Sequence, residues 1–347
     1  MKALMLEAIK QFAYQDVPTP DIRADEVLIQ VKATGICGSD IHGMDGSSGR
    51  RIPPIIMGHE SAGMIAEVGE AVTGWQVGDR VTFDSTIYCG DCHFCRKGAI
   101  NLCDQRRVVG VSCDDYRQHG AFAEYLAVPA RILHRLPDKL SFVEAAFVEP
   151  VSIAVHAVER TPRALNDVVL VVGTGMIGLL LIQVLRQAGY GTIIGVDLND
   201  QRLTLARELG ADFTLNASDA DAVHETIMAH TDGRGVDTAF EVVGITPTLK
   251  MAVNNLRKGG ILTLVGNIAA HAELPIQSVV TREITLYGSC GSQGDYPVSL
   301  DLLAEGKIQV EPLITAVVPL SEGAHWFERL YHEADLLKVI LTPEPDT

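Results

Sequence analysis

The segment 169–178, Val-Leu-Val-Val-Gly-Thr-Gly-Met-Ile-Gly, constrains the fold of this chain more than any other. An apolar run leads into Gly173-x-Gly175-x-x-Gly178. A helical pattern comes next, with Ile177, Leu180, Leu181, Val184 and Leu185 at spacings of three and four. The order is strand, tight turn, amphipathic helix. Gly173 permits the turn, Gly175 lets backbone approach a pyrophosphate, and Gly178 lets the helix pack on the strand. The helix start then offers N–H groups and a positive dipole end to phosphates. Further β-rich runs at 192–196, 237–242, 261–265 and 284–287 alternate with helical stretches. That alternation predicts a parallel sheet with crossover helices.

The run 192–196 ends at Asp197, where an acid that grips the adenine ribose is expected, about 20 residues or slightly more beyond the glycines. A carboxylate there repels a 2′-phosphate, and Leu198 and Asn199 add no compensating positive charge. The reading is NAD rather than NADP. Arg202 either stacks on the adenine or solvates a helix face. Tight packing without a ligand would also use the glycines, but it gives Asp197 no purpose.

The 347 residues suggest two domains. Before about 155 the chain reads as strands and turns, with half-buried runs at 26–32, 61–68 and 77–83. Helices are expected at 298–305 and 321–332, and a closing strand at 338–341. The net charge of −16 argues against nucleic acid, which needs clustered Lys and Arg. No apolar run of membrane-spanning length is uninterrupted, since 168–184 contains three glycines, and the first residues lack a signal-peptide layout. The expected location is cytoplasmic.

Seven cysteines are present, four of them in Cys89-x-x-Cys92-x-x-Cys95-x7-Cys103. In a large intracellular chain this reads as metal binding before disulfides. Short CxxC spacings let one turn present several sulfurs to a single ion. Four sulfurs leave no open position, so the reading is a structural zinc, with fortuitous thiols or an iron–sulfur centre as the alternatives. Cys113 and Cys290 read as packed small residues.

Three separated pieces carry further zinc-competent donors: Gly35-Ile36-Cys37-Gly38-Ser39-Asp40-Ile41-His42, Gly58-His59-Glu60 and Val148-Glu149-Pro150. A catalytic zinc takes three protein ligands and keeps one position open. Only a fold could join these pieces.

The strings GICGSDIHG, MGHE, the four-cysteine lobe, HGAFAEY at 119–125, Glu149-Pro150 and VVGTGMIG occur here in that order. Together they resemble the zinc-containing medium-chain dehydrogenases, and within them the sorbitol (polyol) dehydrogenase branch, over essentially the whole chain. The resemblance implies an α/β protein. A GroES-like β-rich catalytic domain (1–155 and 290–347, with a structural zinc lobe at 86–110) is joined to a Rossmann doubly wound parallel-sheet domain (156–289) that binds NAD. It implies a catalytic zinc on Cys37 and His59, with Glu60 or Glu149 as the carboxylate ligand, and a structural zinc on Cys89, Cys92, Cys95 and Cys103. It casts Ser39 and His42 as a proton relay and counts Glu60 and Glu149 among the catalytic residues. Asp40 is read as structural, bonding nearby backbone.

By the same resemblance the cofactor contacts are Gly173, Gly175, Ile177, Gly178, Asp197, Arg202, Val265, Gly266, Asn267, Ser289 and Cys290. The implied reaction passes a hydride between NAD and a secondary alcohol of a polyol or sugar-derived substrate, polyol to ketose. The partners are that small-molecule alcohol or ketone, with no nucleic acid and no membrane, in a homo-tetramer or dimer. Sorbitol dehydrogenases carry an Arg-Tyr pair where this chain has Gly291 and Ser292, which leaves the pocket broader than sorbitol. Phe122 either lines the pocket or belongs to the core. The alternatives are L-threonine 3-dehydrogenase, an aldonate or sugar-phosphate dehydrogenase and, in another class, a non-catalytic zinc- and NAD-binding protein.

Overall fold

The apolar residues of EVLIQVKATG make Glu26–Gly35 a ten-residue strand buried along most of its length. In the computed structural model, which describes residues 1–343, this strand pairs antiparallel with Glu60–Val68, Tyr125–Pro129 and Lys338–Thr342. The sheet runs in the order Leu133–Arg135, Arg80–Phe83, Glu60–Val68, Glu26–Gly35, Lys338–Thr342, Ile314–Pro319. In its register Gly35 lies opposite both Glu60 and Ile340. Three distant parts of the sequence therefore meet at one strand end, two residues before Cys37.

Two apolar clusters hold this unit. Val27, Ile29, Val31, Ile65, Val81, Phe83, Leu126 and Val128 pack along the sheet. Leu4, Leu6, Ile36, Ile41, Met57, Phe122, Phe327, Val339 and Leu341 pack around the end that carries Cys37. Phe122 is fully buried and meets Phe327 edge-on at 5.6 Å, so its place is in the core. Burying one such ring contributes roughly 1.5–3 kcal/mol.

The second unit is a six-stranded, all-parallel sheet in the order Phe213–Asn216, Thr192–Asp197, Val168–Val172, Val236–Glu241, Leu256–Leu264, Thr285–Gly288. Numbered along the chain, that order is 3-2-1-4-5-6, the doubly wound arrangement that binds dinucleotides where the order reverses. Val168–Val172 is apolar throughout because both faces of such a sheet are covered. Five of the six strands match the β-rich runs of the sequence. The sixth, Phe213–Asn216, has four residues, two of them polar, and no continuous apolar run.

By contacts the chain divides into Met1–Glu149, Ser292–Gly306 and the chain from Val310 onward as one unit, and Pro150–Gly291 with Lys307–Gln309 as the other. The first cut falls inside the helix Val148–Glu159, where the sequence expectation had placed it after 155. The tail contains the helices Tyr296–Ala304 and Gly323–His332 and the strand Lys338–Thr342. Residues 344–347 of the expected 290–347 segment lie outside the described residues. Among the described residues no helix is long and apolar enough to cross a membrane.

Candidate active site

The strand register brings a sulfur, an imidazole and a carboxylate together. The ligating atoms of Cys37, His59 and Glu60 all lie within 4.8 Å of one another. Gly35 makes room for this, because a Cβ there would run into the Glu60 carboxylate. Glu60 is buried and accepts a hydrogen bond from Lys338 Nζ, which also donates to the Ile36 carbonyl at 3.0 Å. Burial alone would lower the Lys338 pKa, yet Glu60, Cys37 and Glu149 outweigh it and raise it.

Glu149 sits in the first turn of the helix Val148–Glu159 and lies outside the mutual 4.8 Å set. Ser85 Oγ donates to its Oε1 at 3.2 Å. Burial pushes the Glu149 carboxyl up to about 7. His59 opposes this, Glu60 adds to it, and Ser85 and Lys338 oppose it. One carboxylate is thus held by a lysine and the other by a serine.

Asp40 does more than the expected backbone bonding. Its Oδ2 accepts from Cys37 N at 3.3 Å. Its Oδ1 accepts from Arg51 Nη2 at 3.0 Å and lies 3.5 Å from His59 Nδ1. The last distance is long for a hydrogen bond but short enough for attraction. Burial raises the Asp40 pKa, while His59 and Arg51 overcome it and hold the group at about 2. A buried aspartate at Nδ1 leaves Nε2 of His59 for ligation. Ser39 and His42 lie three residues apart on the helix Gly38–Met44, hence on one face, and both are exposed.

The donor set fits zinc. Thiolate, imidazole and carboxylate are its preferred ligands. Arg51 pairs with Asp40 and Lys338 with Glu60, so a divalent ion would meet the charge that Cys37 and Glu149 carry once they ligate it.

The second metal-competent group is Cys89, Cys92, Cys95 and Cys103, again mutually within 4.8 Å. Backbone N–H groups point at the sulfurs: Cys89 N at Cys103 (3.3 Å), Cys92 N at Cys89 (3.4 Å) and Cys95 N at Cys92 (3.5 Å). The Cys95 amide is the largest cause of a lowered Cys92 pKa. A hydrogen bond with Asp91 raises the Cys89 pKa and burial raises that of Cys95, so four thiolates together need a cation.

In the other unit Gly173 turns with φ +99, and Gly178 lies against the Gly173 carbonyl. The helix Met176–Gln187, which carries Ile177, begins at Gly175 with no side-chain cap. Its first N–H groups are therefore left for an anion. Asp197 ends its strand and accepts from Thr174 N (2.7 Å) and Asn199 N (3.0 Å), which ties it to the glycine turn. Arg202 reaches that turn, 3.8 Å from where a Gly175 Cβ would stand. Val265 N and Gly266 N donate to the Glu241 carbonyl at 2.9 and 3.0 Å, with Asn267 next in line. Ser289 N donates to Leu264 O at 2.9 Å. The hydroxyls of Thr174 and Ser289 are buried without a partner among the described residues, as expected where a polar ligand belongs.

Arg51, Ser85 and Lys338 belong to no motif in the sequence and join the site through the fold. Cys290 is exposed, which corrects its reading as a packed residue. His134 stacks on Tyr296 at 4.9 Å, and His224 Nδ1 lies 3.0 Å from Asn255 Oδ1.

A closed four-sulfur site serves structure and an open three-donor set serves chemistry. A chain that has both, as well as a dinucleotide turn, falls in the class of zinc-dependent dehydrogenases. Residues 23–138 match the family described as alcohol dehydrogenase GroES-like domain, and 177–305 match zinc-binding dehydrogenase. Sorbitol dehydrogenase of Bacillus subtilis is 36% identical over 99% of this chain and 97% of its own. Galactitol-1-phosphate dehydrogenase from Escherichia coli superposes with a TM-score of 0.91 at 28% identity, covering 99% of this chain and 100% of that one. A zinc-binding dehydrogenase from Sinorhizobium meliloti, solved with NADP, gives 0.88 at 30% identity, covering 99% of both chains. The chain belongs to the zinc-containing medium-chain alcohol dehydrogenases, in their polyol branch, and is an oxidoreductase that uses zinc and a nicotinamide cofactor.

Proposed function

We propose that this enzyme interconverts a secondary alcohol of a polyol or sugar-derived substrate and the matching ketone, with NAD as the hydride acceptor. The observation that carries this reading is the convergence of Cys37, His59 and Glu60 within 4.8 Å. In the same segment, Ser39 comes two residues after Cys37. Zinc held by Cys37, His59 and one of the two carboxylates would supply a Lewis acid that acidifies a hydroxyl, and the nicotinamide would take the hydride. Ser39 receives the hydroxyl proton, and His42, on the same exposed helix face, passes it to solvent. Glu60 is the carboxylate inside the 4.8 Å set, with Glu149 in reserve behind Ser85. Cys89, Cys92, Cys95 and Cys103 hold the structural zinc of the lobe 86–110.

For the cofactor, Gly173, Gly175, Ile177 and Gly178 take the pyrophosphate, and Asp197 takes the ribose hydroxyls. Arg202 lies over the turn, and Val265, Gly266, Asn267, Ser289 and Cys290 form the far wall. The Sinorhizobium relative holds NADP, so the preference for NAD rests on Asp197. The test is NADH absorbance with a panel of polyols, sugar phosphates, aldonates and L-threonine. Fastest turnover on an unphosphorylated polyol is expected. No turnover with zinc and NAD bound would favour a non-catalytic binding protein. The likeness to galactitol-1-phosphate dehydrogenase supports sugar phosphates as the second reading, and the same panel decides it.

A homo-tetramer or dimer is proposed on the edge position of Thr285–Gly288, whose outer side has no strand partner among the described residues. A cytoplasmic location is proposed on cysteine usage, since five of the seven cysteines are assigned to metal rather than to disulfides.

A further inference from the structure

We infer that Arg51 is a positioning residue for the metal site, acting through Asp40 on Cys37 and His59 and through a hydrogen bond on Ser39. The inference rests on the reading of Cys37, His59 and a carboxylate as zinc ligands.

Arg51 is only 6% exposed. A buried guanidinium is expensive unless its donors are satisfied. Here Nε and Nη2 donate to the same oxygen of Asp40, at 3.3 and 3.0 Å. Nη1 donates to the Arg50 carbonyl at 3.1 Å, and Nη2 also reaches Ser39 Oγ at 3.4 Å. Asp40 is itself fully buried, with Cys37 N on one oxygen and His59 Nδ1 near the other. Groups behind metal ligands fix ligand orientation, and Arg51 stands one step further back. At Ser39 the effect is directional. A guanidinium can only donate, so Ser39 Oγ must accept from it and its own O–H is turned elsewhere.

The surroundings accommodate this side chain. Gly43, helical and without a Cβ, lies directly against the Arg51 stem, where any Cβ would collide with Cγ. The backbone around Arg51 is held independently of the guanidinium: Ile52 N donates to Ser112 O, and Ser112 N to Arg50 O, both at 3.2 Å. Removing the charge therefore leaves the segment anchored.

The experiment is competition between the purified enzyme and a colorimetric chelator, with both zinc ions per subunit followed and the four-sulfur zinc as internal control. Arg51→Met is expected to weaken the second zinc by ~10–100-fold, the range for lost supporting contacts. Arg51→Lys is expected in between, because an ammonium lacks the fork. Gly43→Ala keeps the arginine and suits a helix but displaces the stem, so it should also weaken the second zinc. NAD affinity and the four-sulfur zinc should not change. If Arg51→Met and Gly43→Ala both hold the second zinc as tightly as the unmodified enzyme, the inference is overturned. If Arg51→Met does not fold, Arg51→Lys and Gly43→Ala decide on the same criterion. An unmodified enzyme that takes up one zinc alone defeats the underlying reading before any variant is made, so the two failures are distinguishable.

Discussion

Lys338 and Glu60 form a buried ion pair across 278 residues of sequence. The side chains are 3% and 1% exposed. Removing one partner of such a pair leaves an uncompensated charge and costs about 3–5 kcal/mol. Lys338→Met is therefore expected to lower the melting temperature most strongly in metal-free protein. Zinc, adding positive charge beside Glu60, should restore part of the loss. Melting curves with and without chelator check this. Equal destabilisation in both states would remove Glu60 from the metal site.

Glu149 is expected to matter for turnover but not for the lobe. Glu149→Ala should reduce kcat by at least ~10–100-fold while the four-sulfur zinc stays in place. Ser85→Ala, which deletes the donor 3.2 Å from Glu149, should give a smaller loss of the same kind. Wild-type rates in the first variant would take Glu149 out of the reaction.

Asp197→Ser tests cofactor choice. The carboxylate closes the glycine turn through Thr174 N and Asn199 N, and a serine replaces its charge with a shorter hydroxyl. The ratio of kcat/KM for NAD over NADP is expected to fall by ~10–100-fold, the value of a hydrogen bond to a charged group. An unchanged ratio would refute the ribose assignment.

His134 should make the fold sensitive to acid. Burial of its ring lowers its pKa to about 4, from an ordinary value near 6.5. The folded state thus binds the proton less well than the unfolded chain. The associated stability is complete above pH ~6.5 and is lost as pH falls toward ~4. Its size is of order 1–3 kcal/mol. His134→Phe keeps the stack on Tyr296 and removes the titration. Its melting temperature should drop less between pH 7.5 and pH 5 than that of the unmodified protein, as measured by differential scanning calorimetry.

The parts legible in the sequence are those whose signal is local. Gly173, Gly175 and Gly178 announce a turn within six residues, and Cys89 to Cys103 announce a cage within fifteen. Cys37, His59 and Glu60 were found as pieces, and family resemblance rather than spacing joined them. Arg51 sits in a polar, glycine-rich stretch and Lys338 at the start of a short strand, and each reads as an ordinary solvated cation. Lys338 is buried by the strand register that sets Gly35 against Glu60 and Ile340, and Arg51 by its bridge to Ser112 and its stem against Gly43, pairings that no window of sequence contains. Cys290 and Phe213–Asn216 failed for the converse reason: their surroundings are set by neighbouring strands, and composition carries little trace of them.

The pairing of Lys338–Thr342 with the strand Glu26–Gly35 bears on how the molecule comes into being. A ribosome releases the amino end first, so Glu60 emerges long before the lysine that neutralises it. Until Lys338–Thr342 is threaded into the sheet, the nascent polypeptide carries a naked acid where this core should close. Maturation of the reactive centre therefore waits on a segment made 278 residues after the acid it neutralises.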